Sequence, residues 1–143
     1  MLKVKLLKAG ALPPTVAHPG EDLGYDIYSA ETLVIPPGEM GQIKTGIAVE
    51  IFSPRGEAMG GLIRDRSSLA MRRLVLTAGV IDAGYRGEIK ILMENLGPGE
   101  ARINAGDKIA NLLPYPVLTG AIEVTEELGE SVRRDGGFGS SGK

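Results

Sequence analysis

Gly and Pro recur through this chain between short runs of β-branched and aliphatic residues, and that punctuation limits the fold more than any other feature. There are 21 Gly and nine Pro in 143 residues. Runs with strand character occupy residues 4–8, 32–35, 42–52, 58–64, 74–81, 88–94, 108–113 and 121–124. Between them lie Pro36-Pro37-Gly38, Pro54-Arg55-Gly56, Ala83-Gly84 and Gly97-Pro98-Gly99, each with turn chemistry. Short strands at such spacing predict an all-β fold, a β-sandwich or barrel-like jelly roll. Residues 67–73 alone read as helix, with Ser67 or Ser68 able to cap its start. No internal repeat and no interdomain linker is visible. The chain reads as one β domain over residues 1–128, then a polar, Gly-rich arm over 129–143 whose composition predicts mobility.

Composition removes several kinds of chemistry. The chain has no Cys, so disulfides, thiolate nucleophiles and cysteine zinc sites are excluded. The single His, His18, rules out a zinc site with two His, and its Ala17-His18-Pro19-Gly20 setting reads as a solvated turn. Aromatics are only Tyr25, Tyr28, Phe52, Tyr85, Tyr115 and Phe138, so an aliphatic core must do most of the packing. The net charge of −2 gives no global field for nucleic acid, and a bound polyanion needs a local cluster of donors. No apolar run reaches the ~18 residues of a membrane span. The opening MLKVKLLKAG is too short and too interrupted by Lys for a signal peptide, so a cytoplasmic enzyme is expected.

Five segments carry candidate chemistry: LGYDIYSAE at 23–31, DRSSLA at 65–70, GVIDAGYRGEIK at 79–90, GDKIANLL at 106–113 and RRDGGFGSSG at 133–142. Asp82 follows the apolar Gly79-Val80-Ile81 and precedes Ala83-Gly84, which holds a carboxylate at a turn. That placement suits a general base, and it also suits an ordinary turn-opening Asp. Arg66, Ser67 and Ser68 offer a guanidinium, two hydroxyls and the N–H groups of a helix start, which fit phosphate oxygens or a capped helix beside a surface Arg. Gly137 to Lys143 spells the first seven positions of a P-loop, but without the Ser or Thr and the helix that must follow. A Phe in such a tail, Phe138, needs another reason.

In this order and spacing the five segments resemble the motifs of the trimeric, all-β dUTPase family, along nearly the whole chain. The resemblance implies a distorted jelly roll and Mg²⁺-dependent hydrolysis of dUTP to dUMP and pyrophosphate, which keeps uracil out of DNA and supplies dUMP for thymidylate synthesis. Asp82 is then the base that deprotonates the water attacking the α-phosphorus. Tyr85 packs on the deoxyribose and leaves no room for a 2′-hydroxyl. Main-chain groups around Thr77–Val80, with Gly79, Val80 and Ile81, read uracil, and Lys90 closes the same motif. Arg66, Ser67, Ser68 and Asn111 meet the phosphates. Family members usually carry Gln where Asn111 stands, one methylene longer, and often Pro and Gly at Asp65 and Ser68. The arm closes as a lid, with Phe138 over uracil, Arg133 at the γ-phosphate, and Gly139, Ser140 and Ser141 adding hydrogen bonds. Mg²⁺ is held by the phosphates and water with no direct protein ligand, and Asp26 supports that network through water. Active sites are shared between subunits of a homotrimer that binds neither nucleic acid nor membrane.

Two other functions fit the same sequence less well. A dCTP deaminase shares the fold, but its acid/base Glu and second arginine fall at Leu92 and Met71 here, and Leu cannot move protons. A non-catalytic nucleotide-binding signalling module has no need for Asp82, Tyr85, Arg66 and Arg133 together.

Overall fold

The chain passes back and forth between two sheets, and its Gly and Thr residues mark the crossings. A computed structural model describes residues 1–131. In order it forms β1 (Leu2–Leu6), β2 (Tyr25–Tyr28), β3 (Leu33–Ile35), β4 (Met40–Lys44), β5 (Ile47–Phe52), β6 (Ala58–Arg64), α1 (Ser67–Ala70), β7 (Leu74–Leu76), β8 (Val80–Ile81), β9 (Lys90–Asn95), β10 (Ala101–Ile103) and β11 (Lys108–Pro116). One sheet runs β1-β5-β6-β11-β2, with β8 also on β6; a second runs β4-β9-β7; β3 and β10 form a separate pair. All of these pairings are antiparallel. The expected all-β class is the one observed.

Two runs expected as single strands are each divided, for the same reason. Residues 42–52 split because β4 pairs in the three-stranded sheet and β5 in the larger one. The chain changes sheets at Thr45-Gly46, where Gly46 takes φ 67° and a Cβ would lie 2.7 Å from that of Ala11. Thr45 anchors the crossing by donating its hydroxyl to the Ile89 carbonyl at 2.6 Å. Residues 74–81 split likewise: β7 pairs with β9, β8 with β6, and Thr77–Gly79 bridges them.

The core between the sheets is aliphatic, as the aromatic-poor composition predicts. Ile27, Ile63, Ile109 and Leu112 of the larger sheet and Ile43, Leu74, Ile91 and Met93 of the smaller one are buried in one cluster. Strict alternation in β4 places Ile43 opposite Ile91, so both point inward. Asn95 is buried among them, its amide donating to the carbonyls of Ile35 and Gly99 at 2.8 Å each.

Four sequence expectations need correction. The helix is only Ser67–Ala70; Arg66 occupies its cap in extended conformation, and neither Ser67 nor Ser68 caps it. Residues 121–124 form no strand; 117–131 have neither helix nor strand and are exposed. The short strands β2 and β10 were not anticipated. β11 runs on through Pro114 and Pro116 to pair with β6. Its pairing with β2 ends at Leu112, and two Pro spaced by two residues place their missing N–H groups on one strand edge, where Pro is tolerated.

Candidate active site

Three neighbouring strands place one rung of polar side chains on the same face. Asn111 on β11 pairs in register with Asp26 on β2 and with Arg64 on β6, and directly opposed residues share a sheet face. Arg66, Ser67 and Ser68 follow β6 and join the rung in lining an open cleft of about 800 Å³. The Asp26 carboxylate is the hub. Arg66 ion-pairs with Oδ1 of Asp26 through Nη1, and the same nitrogen lies 3.5 Å from Oδ1 of Asn111. Lys108 contacts the other oxygen, Nζ to Oδ2, at 2.7 Å. That hydrogen bond, with the Asp26 charge, raises the Lys108 pKa above its ordinary value.

Lys108 is the residue that sequence reading missed. It lies three positions before Asn111, and in a regular strand an odd offset points side chains to opposite faces. A bulge intervenes: Lys108 pairs with Tyr28 and Ala110 with Ile27, so Ile109 is the extra residue. The bulge restores Lys108 to the face of Asn111. The Gly106-Asp107 turn before the strand hints at irregularity there, but not at a change of parity. Arg64, the last residue of the 58–64 run, is a second lining residue that the sequence does not single out.

Asp82 and Tyr85 lie elsewhere. Asp82 is exposed just after β8 and lines a different cleft, of about 690 Å³, with Ile81, Tyr115 and Leu118. The turn that follows is closed by a hydrogen bond from the Tyr85 N–H to the Asp82 carbonyl at 3.0 Å. Tyr85 is 45% exposed, and its hydroxyl donates to the Glu88 carbonyl at 3.0 Å. Thr77, Gly79 and Val80 line a third recess, of about 270 Å³, beside Ile63 and Arg64. Val80 is exposed, Ile81 is half-buried, and Lys90 sits exposed at the start of β9. A single chain therefore gathers Arg66, Ser67, Ser68 and Asn111 in one cleft, but not Asp82 or Tyr85. Arg133, Phe138, Gly139, Ser140 and Ser141 lie outside the described residues.

Comparison with known proteins identifies the family. The dUTPase family model matches residues 13–142. This chain belongs to the dUTPase family. A deoxyuridine 5′-triphosphate nucleotidohydrolase of Clostridioides difficile is 45% identical over 144 residues, covering 99% of this chain and 97% of that protein. One from Mycobacterium marinum is 45% identical over 150 residues, covering 99% and 94%. Among solved structures, the dUTPase of Staphylococcus bacteriophage 80alpha with dUPNHPP matches with a TM-score of 0.90 at 35% identity, covering 100% and 99% of the two chains. A mutant dUTPase of phage phi11 of S. aureus, described with a structural Mg(II) ion, matches with a TM-score of 0.80 at 34% identity, covering 89% and 97%.

Among the described residues no group of three or more His, Asp or Glu could hold a metal ion. Both oxygens of Asp26 are engaged by cations, so Asp26 fits a role through water better than direct ligation. Leu92, at the position of a deaminase acid/base, is a half-buried aliphatic residue on β9. No helix among the described residues is long and apolar enough to cross a membrane.

Proposed function

We propose that this chain hydrolyses dUTP to dUMP and pyrophosphate, with Asp82 as general base. The observation that carries the reading is the rung Asp26–Asn111–Arg64 with Arg66: two guanidinium groups stand with one carboxylate that Arg66 and Lys108 already engage, in a cleft that Glu21 and Asp22 also line. The group Asp26, Arg64, Arg66 and Lys108 is itself net positive, and with the Ser67 and Ser68 hydroxyls it gives a triphosphate a local cluster of donors. Asp82 takes the proton of a water molecule, whose oxygen attacks the α-phosphorus as the bond to the bridging oxygen of the β-phosphate breaks. Pyrophosphate leaves with that oxygen, and Arg66 stabilises the charge that develops. Mg²⁺, when bound with the nucleotide, offsets phosphate charge and orders the chain of phosphates. Asp26 orients Arg66 and, through water, fits that ion's surroundings.

Tyr85 supplies sugar selectivity: its half-exposed ring offers a flat face to the deoxyribose, and packing there leaves no room for a 2′-hydroxyl. The Thr77–Val80 turn reads uracil by main-chain groups, while Lys90 lies on the adjoining strand. The arm supplies Arg133, Phe138, Gly139, Ser140 and Ser141 as a lid over bound nucleotide. The separation of Asp82 from the Arg66 cleft in one chain supports a homotrimer with sites shared between subunits. The enzyme acts in the cytoplasm on the free nucleotide.

The test is pyrophosphate release by purified protein with Mg²⁺, comparing dUTP, dTTP, dCTP and UTP. Release from dUTP alone is expected. Binding of dUTP without release would favour the signalling module, and ammonia from dCTP would favour the deaminase.

A further inference from the structure

Arg86 makes no contact with the phosphate cleft, yet its guanidinium is tied at three points around the turn that carries Asp82 and Tyr85. Its Nη1 donates to the carbonyls of Ala83 at 2.8 Å and Tyr85 at 3.0 Å. Its Nε lies 3.0 Å from Oε1 of Glu50. Glu50 is on β5, in register with Lys3 on β1, and Lys3 Nζ holds its other oxygen at 3.7 Å. The guanidinium thus links a loop to the middle of a strand that is itself paired on both sides. Without it, the Ala83 and Tyr85 carbonyls would face water, and the turn would keep only its internal bond from the Tyr85 N–H to the Asp82 carbonyl. The Tyr85 ring lies against Gly87, where any side chain would collide with it, so ring and backbone are fixed from opposite ends.

We propose that Glu50, acting through Arg86, is a positioning residue that holds the Asp82–Tyr85 turn in the geometry hydrolysis requires. This rests on the reading of Asp82 as the base and of Tyr85 as the sugar platform. Planarity matters here: a guanidinium presents donors in a fixed fork, so one group can serve two carbonyls and a carboxylate, which an ammonium cannot do with the same rigidity. The Arg86 and Glu50 side chains are 53% and 34% exposed. Ion pairs so open to solvent contribute little to folding. Conserving a loop's geometry is a different matter, because a misplacement of ~1 Å at a reacting group costs about a hundredfold in rate.

The experiment measures kcat, KM and thermal midpoint for Glu50→Ala, Glu50→Gln, Arg86→Ala and the Glu50→Ala/Arg86→Ala double variant, with dUTP and UTP. The wild type must release pyrophosphate from dUTP; if it does not, the reading of Asp82 falls and the clamp falls with it. Expected is a loss in kcat of about tenfold to a hundredfold for Arg86→Ala and about three- to tenfold for Glu50→Ala, with KM within about threefold. Glu50→Gln keeps an acceptor oxygen and should fall between Glu50→Ala and the wild type. The double variant should be no slower than Arg86→Ala alone, because Glu50 acts only through the guanidinium. Thermal midpoints should stay within about 3 °C of the wild type. A native kcat in folded Glu50→Ala, or additive losses in the double variant, would overturn the proposal. If Arg86→Ala does not fold, Glu50→Ala decides the matter alone.

Discussion

Asp82 stands on a turn and is exposed in the single chain. A base so placed can be replaced by its amide with little effect on shape. Asp82→Asn should therefore lower turnover of dUTP by about 10²- to 10⁴-fold, the range that general-base catalysis supplies, while the dissociation constant for a non-hydrolysable analogue changes little. Single-turnover kinetics and calorimetry would check this, and native turnover in the variant would remove Asp82 from the chemistry. At this scale the sequence is informative where a residue's neighbours along the chain single it out as a candidate. Asp82 after an apolar strand end and Arg66 before two Ser could be picked out in that way. Asp26 was picked out too, but its actual work, gripping Arg66 and Lys108, depends on partners far along the chain. Lys108 was hidden by one bulge, because residue parity is lost wherever a strand takes an extra residue.

Strands obey the sequence only while they stay in one sheet. The runs at 42–52 and 74–81 look continuous because residues with strand character stand on both sides of each switch, and the switch at Thr45-Gly46 or Thr77–Gly79 changes only which neighbour they pair with. β10 has just Ala101-Arg102-Ile103, too short for a pattern, and exists because β3 lies beside it. The 74–81 crossing has the narrowest fit. Ile63 N–H donates to the Gly79 carbonyl at 2.7 Å, and a Cβ on Gly79 would come 2.5 Å from the Ile63 carbonyl oxygen. A backbone oxygen cannot move aside as a side chain does. Gly79→Ala is thus expected to cost about 1–3 kcal/mol of stability, the range for overpacking, and to weaken dUTP binding with it. Chemical denaturation and an analogue titration would measure both; unchanged values would mean that the two backbones do not approach so closely.

The whole molecule leaves two things undone in one chain. Beyond β11, Leu118, Ile122, Val124 and Leu128 are 85%, 94%, 96% and 89% exposed. Burying such side chains contributes about 1.5–3 kcal/mol each, and one chain offers them no surface. Residues 121–124, strand-like in sequence, likewise find no neighbour to pair with. Asp82 and Arg66 meanwhile line separate clefts. A cyclic trimer answers both, since a neighbour can cover the apolar segment and bring its own Asp82 to the Arg66 cleft. Light scattering should then give three times the 15.0 kDa chain mass. Complementation tests the shared site itself. Arg66→Ala and Asp82→Asn homotrimers should each be nearly inactive, since every site lacks one group. In trimers co-refolded from equal amounts of the two, a site is intact when its Arg66 comes from an Asp82→Asn chain and its Asp82 from an Arg66→Ala chain. Random assembly of subunits makes about one site in four intact, so about a quarter of native activity should return. If both groups of a site came from one chain, mixing would restore nothing, because every chain carries one of the two lesions.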